Sequence, residues 1–241
     1  MVDQLRLASA VPTVPVQRRM HLGSVQDARA AVTHRPGWPA IFLKAYAQVA
    51  AKMPALRQAY VRLPWPQLYE YPASVASLAV ERDYLDEPAV FFGRISDPAR
   101  LPLTEIDKRI REFATEPVEQ IKPFRKLLSL AKWPQPMRRF AIWLGLNLPR
   151  TRAGQFGTFG LSVYSSLGAE SLHPLSPLTT TLNYGVIDES GAVDVRIVYD
   201  HRVFDGATVA RALRELEAQL TGEILAELRR LAAAEPRLRV A

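Results

Sequence analysis

Cysteine is missing from all 241 residues. That excludes disulfides, thiolate metal sites and a cysteine nucleophile, and it makes a cytoplasmic setting the expectation. Histidine is scarce: His21, His34, His173 and His201 are scattered, and no two stand at the spacing by which a helix presents a metal pair. No metal is therefore expected. No apolar run approaches the ~18 residues of a membrane-spanning helix. The first twenty residues, with Asp3 early and prolines at Pro12 and Pro15, lack the basic-then-apolar order of a secretion signal. Acid is absent between Glu119 and Glu170, while Lys122, Arg125, Lys126, Lys132, Arg138, Arg139, Arg150 and Arg152 all fall there. With a net charge of +7, this segment reads as a solvated basic face or as a surface that attracts ligand phosphates, an acidic carrier protein or an anionic membrane. No nucleic-acid module is recognisable, and nucleic acid is not expected as a partner.

What is present suffices for a packed core, since 48% of residues are apolar. Residues 1–20 read as an extended N-terminal arm ending in the basic pair Arg18-Arg19, followed by a single domain over 21–235 and a tail at 236–241. "PAIFLKAYAQVAAKM" (39–53) sets Phe42, Tyr46, Val49 and Met53 on one helical face behind a first-turn proline. Short runs rich in β-branched and aromatic residues follow: "AYVRL", "LYEYP", "SVASLAV" and "AVFFGRI", as in a sheet of several strands. "LTEIDKRIREF" predicts a helix, with Thr104 and Asp107 at capping-box spacing. Residues 121–153 predict a basic helical insertion broken at Pro134 and Pro136. "LTTTLNYGVI" and "AVDVRIVYD" flank the turn "DESG" as a hairpin, and a long helix runs from Ala207 to about Ala233. The fold class is α/β: a mixed sheet flanked by helices.

The sharpest feature is "VRIVYDHRVFDGATVARALREL" (195–216), where a strand ends in Asp200-His201-Arg202 and a helix opens just after Asp205-Gly206. An imidazole at a strand end projects past the sheet, and its near-neutral pKa suits proton transfer. Gly206 is expected to permit a turn that a side chain would hinder. Asp205 is placed to accept hydrogen bonds, to pair with an arginine, or to contact His201 directly. A hydrolase triad lacks its nucleophile, because "GLS" at 160–162 is not G-x-S-x-G. Arg202 is expected to anchor the strand end.

"YDHRVFDGATVARAL" resembles the active-site segment of the catalytic core of dihydrolipoamide acyltransferases, and of chloramphenicol acetyltransferase, whose fold that core shares. "GTFGLSVYSSLG" is similar to the family's oxyanion-binding segment, "FLKAYAQVAAKMPALRQAY" to its long helix and exit, and "RRMH" (18–21) to the segment that opens the domain. The resemblance covers about residues 12–232. It implies a chloramphenicol acetyltransferase-like, trimer-forming fold with His201 as general base and Ser162 as oxyanion donor. Asp205 would then be a structural support held by Arg19 or Arg18, with Gly206 beside it. Tyr164, Ser165 and His173 are candidates for touching substrate. The resemblance further implies no bound cofactor, a coenzyme A thioester as co-substrate, and active sites shared between subunits.

Two departures shape the functional expectation. The arm of about twenty residues is too short for a lipoyl domain or a subunit-binding domain, and the basic segment 121–153 is unlike the family's. A stand-alone acyltransferase is therefore expected, moving an acyl group from coenzyme A or a carrier protein to a small or lipid-like acceptor. The alternatives are a core served by a lipoyl domain in trans within a 2-oxoacid dehydrogenase-type complex, and a non-catalytic trimeric scaffold. Segment 121–153 would be packing, a lid, an acyl tunnel, or a surface for a carrier protein or peripheral membrane contact.

Overall fold

The alternation of "AVDVRIVYD" folds as strand β8 (Ala192–Asp200), whose Val193, Val195, Ile197 and Tyr199 all enter the core. It lies inside a sheet built from both halves of the chain. A computed structural model describes residues 2–234; the expected tail at 236–241 lies outside the described residues.

In chain order the elements are α1 (Val2–Ala8), β1 (Thr13–His21), α2 (Gly23–Ala30), α3 (Trp38–Lys52), β2 (Gln58–Val61), β3 (Gln67–Glu70), β4 (Val75–Tyr84), β5 (Glu87–Ser96) and α4 (Leu103–Thr115). Then come α5 (Lys122–Ala131), α6 (Gln135–Asn147), α7 (Pro149–Phe156), β6 (Phe159–Leu161), β7 (Thr180–Tyr184), β8, α8 (Gly206–Gln219) and α9 (Leu225–Ala234), the last two joined through a π-helical turn. Six strands pair in the order β1-β8-β7-β6-β4-β5, and β2 and β3 form a separate ribbon. β6 runs parallel to both its neighbours, while the other pairs are antiparallel. The sheet is mixed, as expected. Between β7 and β8, Gly191 closes the turn at φ +79°, a conformation that side-chain-bearing residues rarely adopt.

α3 is buried nearly all round rather than on one face, from Ala40 to Tyr46 without a break. Its rings lie on the sheet: Phe42 stacks on Tyr184 at 4.1 Å, and the Tyr46 hydroxyl reaches Thr180 Oγ1 at 2.7 Å. α8 lays Val209, Leu213 and Leu216 into the same core. Lys44, itself buried, is paired with Glu227 on α9 at 2.5 Å, so the charge is not left alone in the interior.

Three local expectations are corrected. Residues 1–20 are not one extended arm: α1 forms first, pinned to α6 because Arg138 and Arg139 each reach Asp3 at 2.6 Å, and β1 then pairs with β8 along its whole length. The capping box of α4 does not form. Its N-cap is Pro102, and Asp107 is buried in bonds to the Gly37 N–H and to Arg111. The stretch after Pro149 is a third helix, α7, and the strand that follows is only three residues long.

Candidate active site

Strand alternation gives the sheet two faces. One carries the apolar residues that α3, α4 and α8 cover. The other begins at β5 and β4 with Phe92, Arg94, Ser77 and Ala79, crosses Gly160 on β6 and Thr181 on β7, and ends in a polar half with Asn183, Arg196 and Gln17. Helices α5, α6 and α7 roof the first half of this second face. The loop from Ser162 to Thr179, which returns the chain to the start of β7, closes one side.

Under the roof lies a cavity of about 580 Å³, within the range of ligand sites. Its walls are mostly apolar: Leu127, Leu130 and Trp133 from α5 and its exit, Ile142 from α6, Phe156 from α7, and Leu175 from the loop. Arg94 and Lys126 are its only charged lining residues among those described. The basic insertion is therefore a cavity roof, with most of its cations on the outside.

Ser162 opens into this cavity. It sits one residue past β6, where its N–H donates to the Leu182 carbonyl at 3.1 Å and its own carbonyl accepts from Asn183 Nδ2 at 2.7 Å. The backbone is thus fixed on both sides. Among the described residues the Ser162 hydroxyl has no hydrogen-bond partner, so its proton is free for a ligand oxygen. Gly157, at φ +96°, turns the chain from α7 into β6, where a Cβ would come within 2.9 Å of the Val75 carbonyl. Arg152 is buried in the roof and donates to the carbonyls of Leu146 and Pro177 at 2.9 and 2.8 Å, which ties the loop to α6. Burial lowers its pKa, and next to it the Tyr71 hydroxyl is pushed up to about 12 by burial.

His201 stands elsewhere. It follows β8 directly, is exposed, and is held through its backbone, the N–H donating to the Pro12 carbonyl at 2.9 Å. Its ring tilts against Tyr199 at 5.5 Å, and no carboxylate bonds it among the described residues. Asp200, just before it, is buried and grips Arg202 through two bonds at 2.9 and 2.7 Å; Arg202 in turn lies over the Tyr60 ring, so it does anchor the strand end.

The register separates the two candidates. Asp200 lies beside Thr179 at the start of β7, whereas Ser162 lies beside its end, next to Leu182 and Asn183. His201 and Ser162 therefore occupy opposite ends of the sheet, on the order of 15 Å apart along the strands at ~3.3 Å per residue. Within one chain they do not meet.

Asp205 is the N-cap of α8, accepting the Thr208 N–H at 2.8 Å; that bond, foremost, holds its carboxyl below the usual carboxylate range. Arg18 and Arg19 do not reach it. Arg18 binds Glu217 at 2.7 Å, and Arg19 faces Asp188 and Asp194. The expected arginine clamp is absent because both arginines lie at the far end of β1 from Thr13, the residue opposite Asp200. Glu217 is twelve residues along α8 from Asp205, about 18 Å at ~1.5 Å per residue. Gly206 needs no glycine geometry: it is an ordinary first helical residue, and a Cβ would meet only the Tyr199 hydroxyl at 3.4 Å. Tyr164 lines the cavity mouth. Ser165 opens a short helical turn (Ser165–Leu167), and His173 contacts Thr13 at 2.7 Å rather than the cavity. Asn183 and Arg94 went unmarked in the sequence, and Arg152 was read only as one of the basic residues of 121–153. For Asn183 and Arg94 the available signal was a lone amide or cation inside a strand pattern. Among the described residues no three metal-ligating side chains converge.

The architecture is thus a mixed six-stranded sheet with helices covering one face and roofing half of the other. No family model and no curated protein matches the chain. Solved structures do. It is similar to a probable dihydrolipoamide acetyltransferase of Listeria monocytogenes (TM-score 0.65, 16% identity, covering 91% of this chain and 89% of that one). It is also similar to the Azotobacter vinelandii dihydrolipoamide acetyltransferase (0.65, 18%, 94% and 88%) and to chloramphenicol acetyltransferase (0.52, 15%, 90% and 92%). The chain thus has the fold shared by dihydrolipoamide acyltransferase cores and chloramphenicol acetyltransferase, the resemblance carried by its motifs.

Proposed function

We propose that the protein is an acyltransferase whose active site forms between copies of the chain, most simply in a trimer, with His201 of one copy facing Ser162 of the next. The observation that carries this reading is the separation of two unsatisfied groups: an exposed imidazole at one sheet end and a free hydroxyl on a cavity at the other. Each has chemistry to offer, and neither side chain has a hydrogen-bond partner among the described residues of its own chain. In the Azotobacter protein, the roles of a serine, a histidine and an asparagine four residues after it were investigated in the catalytic mechanism. Here Asp205 stands at that spacing from His201, and as an N-cap it supports the helix beside the site.

In the reaction, neutral His201 takes the proton from an acceptor thiol, hydroxyl or amine as that atom attacks the thioester carbonyl carbon. The carbonyl oxygen becomes an oxyanion and accepts the Ser162 hydroxyl proton as a hydrogen bond. Collapse breaks the carbon–sulfur bond, and the imidazolium returns its proton to the departing thiolate. No acyl-enzyme forms, so the chain needs no cysteine. Coenzyme A is the donor carrier that suits the basic surface, and an acyl carrier protein would meet the same cations. The apolar cavity behind Ser162 fits the acyl chain.

The test is thiol release from acetyl-coenzyme A and longer acyl-coenzyme A, with and without dihydrolipoamide. Release with ordinary acceptors supports the stand-alone enzyme. Release only with dihydrolipoamide supports the second reading, a core served by a lipoyl domain in trans, which the likeness to complex-forming cores favours. No release from any thioester would leave a scaffold.

A further inference from the structure

Arg94 is out of place in the cavity, and its position gives that cavity a polarity. β5 sets Arg94 opposite Ser77, which faces Gly160, which faces Thr181, so the four form one row across the cavity floor. The row is low: a glycine, two hydroxyls and no bulky side chain between Arg94 and β7. The Arg94 guanidinium donates to the Gln155 carbonyl at 2.6 Å, and no carboxylate lies within salt-bridge range of it among the described residues. Burial alone lowers its pKa, as expected of a cation without an anionic neighbour. No acid appears among the described lining residues, and Lys126 adds a second positive charge to the wall. A guanidinium kept in a largely apolar cavity with no counter-ion is a site for an anion supplied by a ligand.

The distance from the reacting end is fixed by the register. Arg94 lies two strands from Ser162 and two residues back along them, about 12 Å between backbones at ~4.8 Å per strand and ~3.3 Å per residue. Both side chains line the same cavity, and a short aliphatic chain with a hydrogen bond of about 2.8 Å at each end spans a gap of that order. We infer that the cavity takes an acyl group ending in a second carboxylate, its thioester carbonyl at Ser162, its methylenes over Gly160 and Ser77, and its distal carboxylate on Arg94. This rests on the acyl-transfer reading for what happens at Ser162, but not for the binding itself.

Binding therefore tests it without turnover. Monomethyl adipate carries an ester and one carboxylate, and dimethyl adipate differs only in lacking the charge. Titration calorimetry, with the fluorescence of Trp133 on the cavity wall as a second readout, compares the two on the intact protein. The half-ester is expected to bind about ten- to a hundredfold tighter, the range of a charge-assisted bond. Arg94→Gln should erase that preference while leaving dimethyl adipate binding unchanged, and Arg94→Lys should restore part of it. Equal affinity for the two esters on the unaltered protein would overturn the inference, whether or not the variants fold. A preference that survives in Arg94→Gln would overturn it too. The two readings fail separately. A half-ester preference with no thioester consumed removes the acyl transfer alone. Turnover of hexanoyl-coenzyme A equal to that of adipyl-coenzyme A, with no half-ester preference, removes the carboxylate site alone.

Discussion

The two ends of the sheet are built to different plans. At the Ser162 end the backbone is bonded on both sides, a roof of three helices covers the approach, and Arg152 locks the loop to that roof. At the His201 end a single exposed ring leans on Tyr199, held by one backbone bond and by the Asp200–Arg202 clamp behind it. One end is a pocket with an unbonded hydroxyl, and the other is an exposed imidazole without a pocket. On the acyl-transfer reading proposed above, the difference would place the chemistry in an assembly, because the register keeps the two groups apart within one chain.

That contrast can be broken from either side, beginning with the chemistry. His201→Ala should lower turnover by about a thousandfold or more. Ser162→Ala should cost about a hundred- to a thousandfold, as the loss of one oxyanion donor does. Size-exclusion chromatography should find both variants in the same oligomer as the parent, since neither side chain holds the fold. A His201→Ala protein with most of its rate would remove the general base.

The next effect is on stability at the roofed end. Arg152→Ala strips a buried and a half-buried carbonyl of their donors, and denaturant unfolding should register a loss of about 2–4 kcal/mol. The same variant should weaken dimethyl adipate binding, because the loop that closes the cavity is released from α6. A smaller effect is expected at the open end. Asp205→Ala removes the N-cap of α8 and should lower the thermal midpoint by a few degrees at neutral pH. The sign with pH follows from its depressed carboxyl: the stabilisation is present above the unfolded-state pKa and is lost as pH falls through the lower folded value. Parent and Asp205→Ala melting curves should therefore converge in acid. A gap that stays constant down to low pH would show that the charge of the cap contributes nothing.

How much of this was legible beforehand follows the range of the interactions. α3, α4, the β7–β8 hairpin and the long C-terminal helix are local patterns, and each was readable from its periodicity. His201 stood out as a strand-end motif, and Ser162 only through the family resemblance. What escaped depends on pairing between distant segments. Arg19 looked like a partner for Asp205, but β1 pairs with β8 in a register that puts Arg19 directly opposite Asp194. Thr104 looked like a cap, yet Pro102 opens the helix and Asp107 is drawn inward to the Gly37 N–H, seventy residues away in sequence. Arg94 was unremarkable in "AVFFGRI" because only the sheet order brings its strand to the cavity floor. The cavity itself needs β4, β5, β6, three helices and a loop, so no single stretch announces it.

The central claim is that catalysis needs a histidine and a serine from different copies. His201→Ala and Ser162→Ala proteins, each inactive alone, are dissociated, mixed and reassembled, with subunit exchange checked by mass spectrometry, and thiol release is then measured. Activity should return as a definite fraction of the parent rate, because mixed assemblies contain interfaces that pair an intact His201 with an intact Ser162. Exchanged assemblies that stay as inactive as the parents would contradict the account.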